Sequence, residues 1–294
     1  MRLVTWNTQW CCGLDGVVSP ERIVQTAQAM GDADVLCLQE VAVNYPQLPG
    51  NPQDQVAQLQ ALLPGWTLLF GAAVQEWGAK GLQQFGNLIA TRLPVLQVQH
   101  YPLPYPADAQ VRSMPRMCTV ATLQDPELGP VRVMTTHLEF YSKRQRMAQA
   151  RYLRRMHFEA LSQVFGPPPL AQDGSPFQSK VHTPHAVLCG DFNLEAHEMD
   201  YAALGSPAAV IECLEAGWPE RVVGTRWSDA WRLLHGEQVQ PATFRVIDRQ
   251  FGPEPGVCDF VWVSDSLRTH VRSMAVDSQT QASDHQPVRV VIGA

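Results

Sequence analysis

The sequence predicts an α/β fold on three observations. Short continuous apolar runs, the mark of strands covered on both faces, recur along the chain. Helical segments with recognisable start signals stand between several of them. The 294 residues, 45% apolar and 17% charged, supply a substantial core without disulfide or metal staples. That length allows two domains, but α/β and sandwich folds often reach it as one, and the unbroken alternation reads as a single domain over 1–294.

The first strand is "RLVTWN", ending at Asn7. Ser19 then caps a helix that has Pro20 in its first position and Ile23, Val24, Ala27 and Met30 as apolar positions. "DVLCLQE" is a buried strand that reaches Glu40, a polar helix follows near Gln53 to Leu63, and "GWTLLFG" is the next strand. "QEWGAKGLQQFG" reads as a loop on its scattered glycines. "NLIATRLPV", "MCTVATLQ" and "VRVMTTHL" read as one strand each. In "SKRQRMAQARYLRRM", Ser142 and Gln145 form a capping box for a helix. "GPPPLAQDGSPFQSKVHTPH" is too long for a turn and reads as a site-shaping loop or an insertion. "AVLCGDFN", "CDFVWVS" and "PVRVVIG" complete the strands.

A net charge of -6 argues against strong non-specific binding to nucleic acid, which requires Lys and Arg to neutralise phosphates, yet leaves room for a local basic patch. The opening "MRLVTWN" lacks the pattern of a signal peptide, and no apolar run is long enough to span a bilayer. A monomeric cytoplasmic protein is expected. The seven cysteines fit that compartment: Cys37, Cys118, Cys189 and Cys258 fall in or beside apolar runs, and no CxxC pair occurs.

The polar residues fall in a pattern. Asn7, Glu40, His137, Asp191 with Asn193, and Asp284 with His285 all close an apolar run or follow one, while Asp259 begins its own. A sheet that gathers them at one rim builds a cluster of carboxylate, amide and imidazole. Glu40, Asp191, Asn193 and Asp284 offer oxygen ligands of the kind Mg²⁺ takes. Residues two apart in extended chain share a face, so Asp191 and Asn193 are expected to point together. Asp259 is the candidate to fix the tautomer of His285.

Taken in order, "TWN", "LQEV", "GN", "TTHLEFYSKRQR", "GDFN", "CDFVW" and "SDHQPV" resemble the endonuclease/exonuclease/phosphatase superfamily, from Trp6 to Val288. The resemblance implies a four-layer α/β/β/α sandwich, two sheets face to face with helices outside. It also implies Mg²⁺- or Mn²⁺-dependent hydrolysis of a phosphate ester. By matching position, Asn7, Glu40 and Asp284 are metal-site residues; Asp191 and Asn193 orient the attacking water and the phosphate; Asp259 and His285 form an acid–imidazole dyad; and His137 contacts the scissile phosphate. Asp191 and His285 both stand as candidates to take the water proton. Arg146 and Gln149 match an Arg and a Gln of related hydrolases.

Lys143, Arg144 and Arg146 crowd the first turn of a helix, where the dipole disfavours cations. They read either as a site for an anionic ligand or as a solvated basic face. Asn87 reads as a substrate-side amide or one bonded within its own loop, Arg116 as a phosphate contact or, slightly favoured, a surface residue, and Asp229 as a cap or structural partner. His100, His157, His182 and His185 have no partner in sequence and are taken as non-functional.

Gln9 in "WNTQW", the absence of Tyr at 137 and Phe260 in "CDF" depart from the apurinic-site endonuclease and inositol polyphosphate phosphatase patterns. The expected activity is therefore a phosphodiesterase or nuclease acting on a phosphate ester, nucleic acid included. A phosphomonoesterase for a small soluble metabolite is the alternative, and a non-catalytic binding module the reading from outside enzymology.

Overall fold

The computed structural model describes residues 1–79, 81–109 and 111–293. In chain order the elements are β1 (Arg2–Asn7), α1 (Pro20–Ala29), β2 (Val35–Val43), α2 (Gln55–Leu62), β3 (Thr67–Gly78), β4 (Gly81–Thr91), β5 (Val95–Pro102), β6 (Met117–Asp125), β7 (Gly129–His137), α3 (Lys143–Phe165), β8 (Ala186–Asp191), α4 (Met199–Gly205), α5 (Val210–Ala216), β9 (Trp227–Asp229), α6 (Ala230–His235), β10 (Asp259–Ser264), β11 (Val271–Val276) and β12 (Val288–Ile292).

The strands form two mixed six-stranded sheets, ordered β11-β12-β1-β2-β4-β3 and β5-β6-β7-β8-β10-β9. The pairs β1–β2 and β7–β8 are parallel and the others antiparallel. Period-two alternation sorts each strand's side chains between two cores. Leu3, Val35 and Ile89 of the first sheet meet Val133, Val187 and Val261 of the second. Val4, Leu36 and Leu88 face outward instead, onto Ile23 and Ala27 of α1 and Leu59 of α2. Val120, Met134 and Leu188 of the second sheet face Leu153 of α3. Both faces of each central strand are therefore covered, which explains the continuous apolar runs and gives the expected α/β/β/α layering. Truncating a fully buried residue such as Leu188 to Ala would cost roughly 2–5 kcal/mol.

The helix starts follow their chemistry. Ser19 accepts from the Arg22 amide, and Asp54 caps α2 through the Ala57 amide at 2.9 Å. Ser142 likewise accepts from the Gln145 amide at 3.1 Å. The capping box is only half formed, because the Gln145 side chain donates to the Pro106 carbonyl instead.

Three expectations are corrected. "QEWGAKGLQQFG" is not a loop but the end of the β3–β4 hairpin, paired down to Gly78 and Gly81, and Lys80 of that segment lies outside the described residues. "NLIATRLPV" is not one strand. β4 ends at Thr91 and β5 begins at Val95, after Pro94, which has no amide to give a central ladder. β5 is an edge strand, so its exposed "VLQVQH" carries too little apolar signal to stand out. Nor does β2 stop at Glu40: it runs on to Val43 through a register irregularity between Leu38 and Val41, with Glu40 at φ +59. β9, β11 and α4–α6, none longer than seven residues, were not anticipated.

Candidate active site

Register builds the centre of the site. In the second sheet His137 of β7 lies opposite Asp191 of β8, and Asp191 lies opposite Asp259 of β10. Gly190 makes this approach possible. It sits at φ +137, and a Cβ there would stand 1.9 Å from the Thr136 carbonyl oxygen. Only glycine brings β7 and β8 together at this point. This is why the strand "VLCGDFN" carries glycine just before its carboxylate.

From the first sheet, β1 delivers Asn7, whose Nδ2 donates to Asp191 Oδ2 at 2.9 Å and to Glu40 Oε1 at 3.2 Å. The bulge in β2 turns Glu40 to meet it. An unfavourable left-handed conformation at a glutamate is the kind of strain that active sites retain. The Ser283 hydroxyl donates to the Asn7 carbonyl at 2.7 Å and anchors the turn that presents Asp284 and His285.

Asp191 and Asn193 converge, but not by extended geometry. The strand ends at Asp191, whose Oδ1 accepts from the Asn193 amide at 2.9 Å in a tight turn that leaves Asn193 at φ +49. Phe192 between them is buried against Phe260 and Trp262. The Asn193 side chain donates to the Leu138 carbonyl at 2.9 Å and lies 2.9 Å from His137 Nε2.

The two imidazoles flank Asp191 Oδ2, His137 Nε2 at 3.3 Å and His285 Nε2 at 3.6 Å. Their electrostatics differ. Burial, with Arg116 and His285 nearby, holds His137 well below the ordinary histidine value and keeps it neutral. Burial opposes charge on His285 as well, but Asp259 and Asp191 outweigh it and raise that ring well above the ordinary value. Burial also pushes Glu40 up to about 7, with the Asp284 carboxylate adding to the effect, and raises Asp284 and Asp259.

Asn7, Glu40, His137, Asp191, Asn193, Asp284 and His285 all line one open pocket of about 180 Å³. Asp259 stands behind His285. Two predicted residues are not brought in. Asn87 is buried and donates to the Met117 carbonyl, tying β4 to the opposite sheet. Arg146 lies in the next cavity with every nitrogen engaged, by Asp200, Glu198 and the carbonyls of Glu139 and Phe140. Lys143 pairs with Glu198 and Arg144 donates to the Ala107 carbonyl, so these cations have protein acceptors, whereas the sequence left them open between an anionic ligand and solvent.

Of the two readings of Arg116, the favoured surface one fails. Arg116 is buried, not on the surface, and pairs with Glu139 at 3.1 Å; its Nη1 has no partner, and the residue lines the pocket. Its only sequence signal is its place just before a strand. An aromatic wall of Phe140, Tyr141, Phe244 and Phe251 was missed; Phe244 stacks on His285 at 4.5 Å. Asp229 does cap α6 through the Trp231 amide, and it accepts from the Tyr201 hydroxyl.

Ligand atoms of Asp191, Cys258 and His285 also lie within 4.8 Å of one another. Burial raises the Cys258 thiol far above its ordinary value and keeps it protonated, which makes it a poor ligand.

Two face-to-face mixed sheets with acidic and imidazole side chains at one rim define a DNase I-like α/β/β/α protein. The chain belongs to the endonuclease/exonuclease/phosphatase family, whose model matches residues 4–285. No curated protein matches it. Among solved structures it resembles an endonuclease/exonuclease/phosphatase from Beutenbergia cavernae, at 24% identity and TM-score 0.67 over 100% of this chain and 72% of that one. It resembles a mannosyl-6-phosphatase of Bacteroides thetaiotaomicron at 17% identity and TM-score 0.62, each chain covered in full. The D. rerio TDP2 solved with a single-strand DNA product gives 16% identity and TM-score 0.62, over 100% and 99% of the two chains. These likenesses establish the fold. Members of the family hydrolyse phosphate esters.

Proposed function

We infer that this protein is a divalent-cation-dependent phosphodiesterase that attacks the phosphorus in line with water, and that a nucleic-acid strand is among the diesters it can take. One observation carries the choice of a diester. Among the described residues, Arg116 is the only Lys or Arg that lines the pocket, beside Glu40, Asp191 and Asp284. A diester brings one negative charge and a monoester two; the cationic groups of the lining, Arg116 and the His285 imidazolium, are already paired with Glu139 and Asp259, which leaves little to balance the second. The aromatic wall adds apolar surface for the ester groups.

The donor set fits Mg²⁺ or Mn²⁺. Glu40, Asp284 and the Asn7 amide oxygen are hard ligands that line the pocket and would hold the ion, and a cation there would offset the burial and the Asp284 charge that raise Glu40. A bound cation would polarise the phosphoryl oxygens and neutralise charge as it develops. Asp191, oriented by Asn7, accepts the proton of the attacking water. His285, held as an imidazolium by Asp259, donates to a phosphoryl oxygen. His137, Asn193 and Arg116 fix the phosphate. The seven free, buried thiols support the cytoplasmic assignment, and no helix among the described residues is long and apolar enough to cross a membrane. We assign the activity to one domain over 1–294, acting as a monomer.

The test is hydrolysis of bis(p-nitrophenyl) phosphate against p-nitrophenyl phosphate with EDTA, Mg²⁺ or Mn²⁺, beside Asp191→Ala and His285→Ala. Metal-dependent diester cleavage abolished by both substitutions is expected. Preferential monoester cleavage would instead support the metabolite phosphatase reading, which the likeness to the mannosyl-6-phosphatase favours. Silence on both substrates together with no Mg²⁺ or Mn²⁺ binding by calorimetry would refute the enzyme reading.

A further inference from the structure

A second cavity, of about 400 Å³, lies between the outer face of the second sheet and α3, and shares no lining residue with the active-site pocket. Its floor follows from strand periodicity. Val131 and Val133 of β7 point into the intersheet core, so Arg132 and Met134 point the other way, into the cavity. Gln97, Gln99 and Tyr101 of the edge strand β5 continue that floor.

Arg132 is the anomaly. Its Nη2 bonds His157 Nδ1 at 3.1 Å, and its buried Nε has no partner. Among the described residues no carboxylate oxygen lies within 4.0 Å of the guanidinium. His157 cannot serve as the counter-charge. It is fully buried, stacked on Trp227 at 4.1 Å, and held neutral by burial and by Arg132 itself. Glu159 of α3 lines the cavity, but outside ion-pair distance of Arg132. Arg132 is half-buried with its Nε shut off from water, and arginines so placed are normally paired, because desolvating a lone charge is expensive. Here the guanidinium fork instead faces a cavity whose rim adds Lys180 and His182, from the long loop after α3. The volume falls in the range of small-molecule sites.

We propose that this cavity binds a small polar organic anion, with a carboxylate or phosphate monoester on Arg132 and hydroxyl or amide groups on Gln97, Gln99 and Gln163. The site is separate from the phosphoesterase centre. Arg132 precedes His137 by five residues on β7, about 17 Å at strand rise.

The test is thermal unfolding in EDTA with citrate, inorganic phosphate or 3-phosphoglycerate at millimolar concentration. Four proteins are compared: wild type, Arg132→Met, Gln163→Trp and the active-site control Asp191→Asn. Gln163 is exposed, so filling the cavity from the rim leaves the fold intact even if Arg132→Met fails to fold. At least one probe should raise the midpoint of wild type and Asp191→Asn by about 2–4 °C, and that rise should be absent in Arg132→Met and Gln163→Trp. A response to phosphate-bearing probes alone assigns a phosphate monoester, and to citrate alone a carboxylate. No shift in wild type, a shift that survives either cavity substitution, or one lost in Asp191→Asn overturns the proposal.

Discussion

His285 Nδ1 lies 2.9 Å from Asp259 Oδ2, while the far side of the same ring faces Asp191 Oδ2 at 3.6 Å. Asp259 is fully buried and absent from the pocket wall, so it acts on substrate only through the imidazole. Asp259→Asn removes the charge that sustains the imidazolium and keeps the volume. The expected result is a fall in kcat of about 10²–10⁴ with KM little changed, on bis(p-nitrophenyl) phosphate. A loss under tenfold would mean that His285 does not work as an acid.

Arg116 lines the pocket, its buried Nη1 has no partner, and Glu139 holds its Nε. Arg116→Met should lower kcat about 10²–10³-fold, as the loss of one preorganised donor does. It should also lower the melting temperature, since it strands a fully buried Glu139. Adding Glu139→Gln removes the stranded charge. The double variant should regain much of the lost stability and none of the rate. Recovery of both would make Arg116 a purely structural residue.

These two arginine and aspartate contacts also mark what the sequence could reveal. Asn7, Glu40, His137, Asp191, Asp284 and His285 were legible because each closes or follows an apolar run, and sheet register carries such positions to one rim. Arg116 was not, because a lone arginine in a loop looks the same whether a distant Glu139 buries it or water solvates it. Arg146 misled for the opposite reason. Its place in the first turn of α3 suggested either an anionic ligand or a solvated face, and its partners are instead the chain's own Glu198 and Asp200, more than fifty residues on. The hairpin at Gly78–Gly81 was hidden because solvent-facing strands lack the apolar run by which buried ones are recognised.

Glu40 is strained in backbone and displaced in protonation, both in service of a carboxylate aimed at Asn7. Glu40→Gln keeps the shape and removes the charge. Calorimetric Mg²⁺ affinity should fall at least about tenfold, since a carboxylate is the principal ligand type for this ion. The metal-free variant should melt no lower than wild type at pH 8, because the buried charge it loses, beside Asp284, is unfavourable without a cation. Unchanged Mg²⁺ affinity would place the cation elsewhere.

Away from the catalytic site, His157 makes stability depend on pH. Burial first, then the Arg132 charge, hold the folded ring well below its ordinary value, so the folded protein keeps it neutral. The unfolded chain binds that proton near pH 6.5. The sign is then fixed: the unfolded state holds more protons at acid pH, so this group's contribution is complete above about pH 6.5 and is lost as pH falls below it. His157→Gln keeps an acceptor for Arg132 and removes the titration. Urea unfolding at pH 7.5, 6.5 and 5.5 should show wild type losing about 1 kcal/mol more than the variant between pH 6.5 and 5.5, and only about a third of that between 7.5 and 6.5. Curves that run parallel throughout would mean that the folded ring takes up its proton as readily as the unfolded one, and that Arg132 does not face it as a charge.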